Sequence, residues 1–148
     1  RPRDWSSDVC SSDLDARLAI DVRDITQVLP LAQLQPYSSA PRSLTGLLLH
    51  HRQIVPVFDL ATLRGGIATE PRLRTRLIII QTRSNIPSKS FGIVIDQVLD
   101  VRSFDEQAFQ AGRLILDDQG PIEVIDLEHL LPADACDWLQ TFTTAEVA

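Results

Sequence analysis

Gly46–Leu60 reads GLLLHHRQIVPVFDL, and Gly112–Leu127 reads GRLILDDQGPIEVIDL. Each stretch opens on a glycine, runs through aliphatic residues to a polar tip, and ends on Val57–Phe58–Asp59–Leu60 or Val124–Ile125–Asp126–Leu127. Two apolar runs around a short polar tip read as a β-hairpin, so the chain carries one hairpin twice. The copies are offset by 66 at the glycine and by 67 at the ending, a difference one turn residue absorbs.

Upstream of each hairpin lies a second matching run. Ile20, Val22, Ile25 and Val28 recur as Ile93, Ile95, Val98 and Val101, each 73 positions later. A period near 70 within 148 residues means two copies of a small all-β unit, not a solenoid. Arg17–Pro30 reads as a strand followed by a second short strand or turn. Residues 33–42 hold Pro36, Ser38, Ser39 and Pro41 and form a loop. Pro56 has no backbone donor, which predicts an edge or a bulge for its strand. Gly65–Pro71 is a linker, Leu77–Gln81 a buried strand, Thr82–Ser90 a hairpin loop and Phe91–Val101 again a strand. Asp117–Pro121 is a turn and Ile122–Leu127 a strand. Asp59 and Asp126 each precede a short apolar segment and are expected to cap a helical turn that closes the unit.

Composition excludes several classes. An apolar fraction of 44% with 23% charged residues is that of a globular domain. No apolar run approaches the roughly 20 residues of a membrane-spanning helix, and Asp4, Asp8 and Asp13 break any secretory core, so no direct membrane insertion and a cytoplasmic location are expected. Residues 1–95 hold 12 basic and 8 acidic side chains (+4), and residues 96–148 hold 2 and 12 (−10), which sum to −6. That total argues against nucleic-acid binding, which needs a basic surface. The alternate arginines Arg72, Arg74 and Arg76 read as a solvated face.

No catalytic signature is present: the chain has no GxSxG, Walker A, GxGxxG or HExxH pattern. Cys10 and Cys136 have no CxxC spacing, and His50 and His51, as neighbours on a strand, are expected to face apart and not share a metal. Asp105–Glu106 and Asp117–Asp118 sit in predicted turns, where aspartate bonds its own backbone. No enzyme, no cofactor and no metal are expected.

Residues 1–14, RPRDWSSDVCSSDL, are rich in Ser and Asp and lack period. They resemble a translated sequencing-adapter string, so a non-native or disordered segment is expected here, in the place of the domain's first strand. The patterned domain is expected over 15–133, as two intertwined β-barrel subdomains, and a tail or short helix over 134–148.

The runs AIDVRDITQVL, GLLLHHRQIVPVFDL, FGIVIDQVLDV and ILDDQGPIEVIDLEHLL together resemble the CheW-like domain of chemosensory systems, across roughly Arg17–Pro132. Gly46, Ile54–Val57 (including Pro56), Asp59 and Leu60 fit the family's G-[VI]-x-N-L-R-G-x-[VI]-[VI]-P-V-x-D-L pattern, and Gly92, Asp96 and Val98 fit its G-[LIV]-[LIV]-V-D-x-V pattern. The resemblance implies an all-β fold of two pseudo-repeated five-stranded SH3-like barrels packed together, with short helical turns. It implies no cofactor, and an adaptor coupling the cytoplasmic tips of methyl-accepting chemoreceptors to a CheA-type histidine kinase. A regulatory fragment of a larger CheA- or CheV-like protein is the alternative, and an SH3- or OB-like nucleic-acid-binding barrel is one from another class. The partner surface implied by resemblance comprises Ile25, Gln27, Val28, Gly46, His51, Arg52 and Val98. Where the family has Asn-Leu-Arg-Gly, this chain has Leu49–His50–His51–Arg52, so His51 replaces the usual arginine and Arg52 the usual glycine.

Overall fold

The structure is a computed structural model that describes residues 5–11, 17–81, 90–104, 114–118 and 120–141. Ten strands form two five-stranded sheets. In chain order they are β1 (Trp5–Ser11), β2 (Arg17–Asp21), β3 (Ile25–Pro30), β4 (Leu44–His50), β5 (Gln53–Asp59), β6 (Arg76–Gln81), β7 (Ser90–Ile95), β8 (Gln97–Phe104), β9 (Leu114–Asp117) and β10 (Gly120–Val124). Among the described residues there are three α-helices, α1 (Leu60–Leu63), α2 (Leu127–Leu130) and α3 (Ala133–Thr141), and a 3-10 turn, Val22–Asp24. The first sheet has the order β8-β1-β2-β10-β9 and the second the order β3-β6-β7-β5-β4. They are two SH3-like barrels.

The two sheets superpose strand for strand along the sequence repeat. Parallel pairing joins Val57 to Gly92 in the second sheet and Val124 to Ala19 in the first, residues related by the 67 and 73 offsets. Even the irregularities repeat, since β3 shifts register between Ile25 and Gln27 against β6, and β8 does so at the matching place, between Val98 and Asp100, against β1. The repeat is not, however, the unit in space. Each Ile-x-Val/Ile-x-x-Ile/Val-x-x-Val run crosses from one sheet to the other, β2 to β3 in the first copy and β7 to β8 in the second. Phe91–Val101, expected as one strand, is therefore two strands in different sheets, broken at Asp96.

Burial explains why the central strands read as unbroken apolar runs. Leu48, Val55, Val57, Leu77, Ile79 and Val94 fill the second barrel, while Ala19, Ile122 and Val124 lie inside the first. Leu18, Ile20, Phe58, Ile78, Ile80, Phe91, Ile93 and Ile95 form a third cluster that draws on both sheets and on Ala135 and Leu139 of α3. Alternate residues of β6 and β7 thus face a barrel interior and the junction between barrels, leaving no polar side. Phe58 and Phe91 meet edge to face there, 6.1 Å between centroids and 81° between planes.

Within residues 1–14, Trp5–Ser11 forms β1, antiparallel to both β2 and β8. Two expectations are corrected. Pro56 lies on an interior strand; it faces Leu47 of β4, and the parallel ladder to β7 begins only at Val57, so the missing donor falls where β5 has one neighbour. The last stretch, Ile122–Leu127, ends as a strand at Val124 and gives way to α2 at Leu127. Within 134–148, α3 accounts for residues up to Thr141. The loop expected over 82–89 and the pair Asp105–Glu106 lie outside the described residues.

Candidate interaction surface

β4 and β5 are joined by a two-residue turn, His51–Arg52, between the paired His50 and Gln53. Both turn residues have positive φ, 48° at His51 and 65° at Arg52, as a type I′ turn requires. Asn-Gly is the usual filling, because a side chain in the left-handed region crowds its own carbonyl. This turn overturns one expectation about the histidines. His51 leaves the strand alternation, and its ring lies 4.0 Å from that of His50 instead of facing away.

His50 also closes the barrel. Its Nε2 lies 2.8 Å from Oε1 of Gln27, joining the end strands β4 and β3 of the second sheet. The amide oxygen accepts, so Nε2 carries the hydrogen. Gln27 meets His50, whose ring lies beside that of His51, and Val28 and Arg52 are exposed next to them in sequence, Val28 at 41%.

The other expected partner residues sit differently. Ile25 and Val98 are half-buried against the junction cluster. Gly46 is buried under the loop before β4, where a Cβ would come 2.8 Å from Cβ of Leu34 and 3.0 Å from the carbonyl oxygen of Gln35. Leu47 and Gln35 exchange backbone hydrogen bonds at 2.8 Å beside it, so this glycine serves the close approach of the loop.

Sequence reasoning missed Leu49, which is 72% exposed next to the tip. The signal was available in alternation, because Leu48 is buried and its neighbour must point outward. Its counterpart 67 residues later, Leu116, is 79% exposed at the end of β9. There the turn lies between Asp117 and Gly120, and the exposed Asp118 occupies the place of His51. The two barrels therefore present related hairpin tips, each with an outward leucine, one flanked by His51 and Arg52 and the other by Asp118.

The motif carboxylates have structural work. Asp59 is buried and accepts hydrogen bonds from Ala61 N, Thr69 N and Thr69 Oγ1 at 3.0, 2.9 and 2.8 Å, capping α1 and fastening the following loop. Asp96 is buried at the break between β7 and β8 and takes Arg74 Nη2 at 2.9 Å. Arg72 meets Glu70, and Arg76 donates to the carbonyls of Leu73 and Thr75, so the three arginines are engaged locally. Asp126 holds His129 Nδ1 at 2.6 Å. Gly92 is tightly packed, since a Cβ would lie 3.0 Å from Val57 Cγ2 and 3.1 Å from Leu77 Cδ2, and those methyl groups would have to give by a few tenths of an ångström. Arg64, just beyond α1, reaches across to Glu123 of β10 with two bonds of 2.8 and 2.9 Å, tying the barrels together.

Among the described residues, no group of three or more His, Cys, Asp or Glu side chains could hold a metal ion. No helix among them is long and apolar enough to cross a membrane.

Residues 13–134 match the family model described as the CheW-like domain. The fold matches that of the scaffolding protein TtCheW from Thermoanaerobacter tengcongensis with a TM-score of 0.77, at 19% identity, over 90% of this chain and 96% of that one. No curated protein matches this sequence.

Proposed function

The chain belongs to the CheW-like domain family, and from that premise we propose that it is a non-catalytic cytoplasmic adaptor coupling chemoreceptor tips to a CheA-type histidine kinase. One observation carries the reading beyond family membership. The duplicated fold yields two related hairpin tips with outward Leu49 and Leu116 and opposite flanking charge. A coupling protein needs two distinct partner surfaces on a rigid body, and opposite charge separates the partners each surface accepts. The surface around Gln27, Val28, His51 and Arg52 is the receptor side in this reading, with Ile25 and Val98 packed on the junction cluster and Gly46 under the loop before β4.

The test is co-purification of the chain with the cognate kinase and with a receptor-tip fragment, each measured again for His51→Arg. Restoring the family's arginine is expected to change receptor-tip affinity at least threefold while leaving the melting temperature within about a degree. No affinity change would move the receptor surface away from this hairpin, and no co-purification with either partner would sink the adaptor reading.

A further inference from the structure

The contact between His50 and Gln27 fixes a tautomer as well as a strand pair. Oε1 of Gln27 accepts from Nε2 of His50 at 2.8 Å, so the neutral ring of His50 keeps its lone pair on Nδ1. His51 is exposed, and its ring lies 4.0 Å from that of His50 with the planes tilted by 59°. Among the described residues no hydrogen bond or ion pair holds the His51 imidazole. Neighbours on a regular strand face opposite sides. The left-handed backbone of His51, at φ 48°, is what sets these two rings side by side.

A histidine that ligates a metal usually gives its other ring N–H to an oxygen acceptor, which holds the tautomer and the ring orientation. His50 and Gln27 already stand in that relation. Two imidazoles bound to one ion at about 2.0 Å, at a right or tetrahedral angle, have ring centres about 4.5–5 Å apart. The rings must therefore open by roughly 0.5–1 Å, a movement that a small side-chain rotation of the exposed His51 supplies while Gln27 holds His50. No third histidine, cysteine or carboxylate joins the pair among the described residues. The remaining positions of an ion here would go to water, which makes the site open and exchangeable, unlike a closed structural one. Arg52, the neighbouring cation, is exposed and free to turn into solvent.

We propose that His50, through Nδ1, and His51 form a two-histidine site for a divalent transition-metal ion, with Gln27 as the outer acceptor that orients it. Imidazole ligands suit the ions of the zinc, nickel and copper group. Neither histidine stands in the family's Asn-Leu-Arg-Gly pattern, so the site is a property of this chain. It holds whether or not the chain couples receptors to a kinase.

The experiment titrates Zn2+ into the full chain and follows the imidazole nitrogens by NMR. Saturable one-to-one binding is expected, with Nδ1 of His50 metal-bound and Nε2 still protonated. His51→Asn keeps a residue that tolerates the left-handed turn and is expected to weaken binding at least tenfold. Gln27→Ala leaves both ligands in place and is expected to weaken it about tenfold, as loss of an outer acceptor does. His129, which lies beside Asp126, is the competing candidate, and His129→Ala is expected to leave binding unchanged. Absence of saturable binding, undiminished binding by His51→Asn or by Gln27→Ala, loss of binding in His129→Ala, or coordination of His50 through Nε2 would each overturn the proposal. The nitrogen assignment is made on the wild-type chain, so a variant that fails to fold leaves the test intact.

Discussion

His50 Nε2 and Gln27 Oε1 meet at 2.8 Å, and this one bond joins strands that stand at opposite ends of the second sheet's pairing order. It is exposed, so its net stabilisation is at the lower end for a hydrogen bond, about 0.5–1 kcal/mol.

Gln27→Ala is expected to lower the melting temperature by roughly 1–4 °C, given the usual size scaling, and to loosen the hairpin tip on the partner surface. Thermal unfolding and receptor-tip affinity measured on the same variant check this. A fall in affinity of tenfold or more with so small a thermal shift identifies the bond as a positioning contact.

Arg52→Gly should stabilise the protein. The left-handed backbone at φ 65° costs a side-chain-bearing residue about 1–2 kcal/mol, part of which is returned as extra freedom of glycine in the unfolded chain. A net gain of about 0.5–1 kcal/mol is expected in urea unfolding, with unchanged slope. A loss of stability would mean that the arginine side chain contributes more than the strain costs.

The two family aspartates should behave differently. Asp59→Ala strips three donors, on Ala61 and Thr69, of a buried acceptor and is expected to cost about 2–4 kcal/mol. Asp126→Ala removes a half-exposed contact to His129 and is expected to cost under about 1 kcal/mol. Chemical denaturation of the pair tests whether one motif position serves one purpose in both copies.

Burial, then the nearby charges of Asp137 and Asp134, hold the Cys136 thiol above its ordinary pKa. In a Cys10→Ser background, alkylation of Cys136 near pH 8 is expected to run slower than that of an unfolded peptide carrying the same sequence. The sign for stability follows: the folded state prefers the neutral thiol, so this contribution is whole below the unfolded pKa and is lost as pH rises through the folded one. Unfolding measured from pH 8 to 10.5 should show the decline, and Cys136→Ser should flatten it.

Much of the fold was legible because the repeat preserves its spacing. The offsets of 73 and 67 located equivalent strands, and the first hairpin ending located the cap at Asp59. The sheet assignment was not legible, because Val22 and Ile95 continue an apolar rhythm through the points where the chain changes sheets. Nor was β1, whose serines and aspartate carry no strand pattern; it pairs with β2, next in the chain, and with β8, far along it. At the surface, the tip residues were found by motif position, but their arrangement was not. Positive φ at His51 turns the ring toward His50, contrary to strand alternation, and Gly46 serves packing beneath the surface.

The crossing of β2 to β3 and of β7 to β8 has a further consequence, for the order of assembly. All five strands of the second sheet lie between Ile25 and Ile95, so that barrel is inserted whole into the other. During synthesis it can close as soon as β7 emerges, whereas the first sheet must wait for β8 and for the parallel partner β10. Throughout that interval the open edge of β2, with Leu18, Ala19 and Ile20, is the part of the nascent chain most exposed to mispairing.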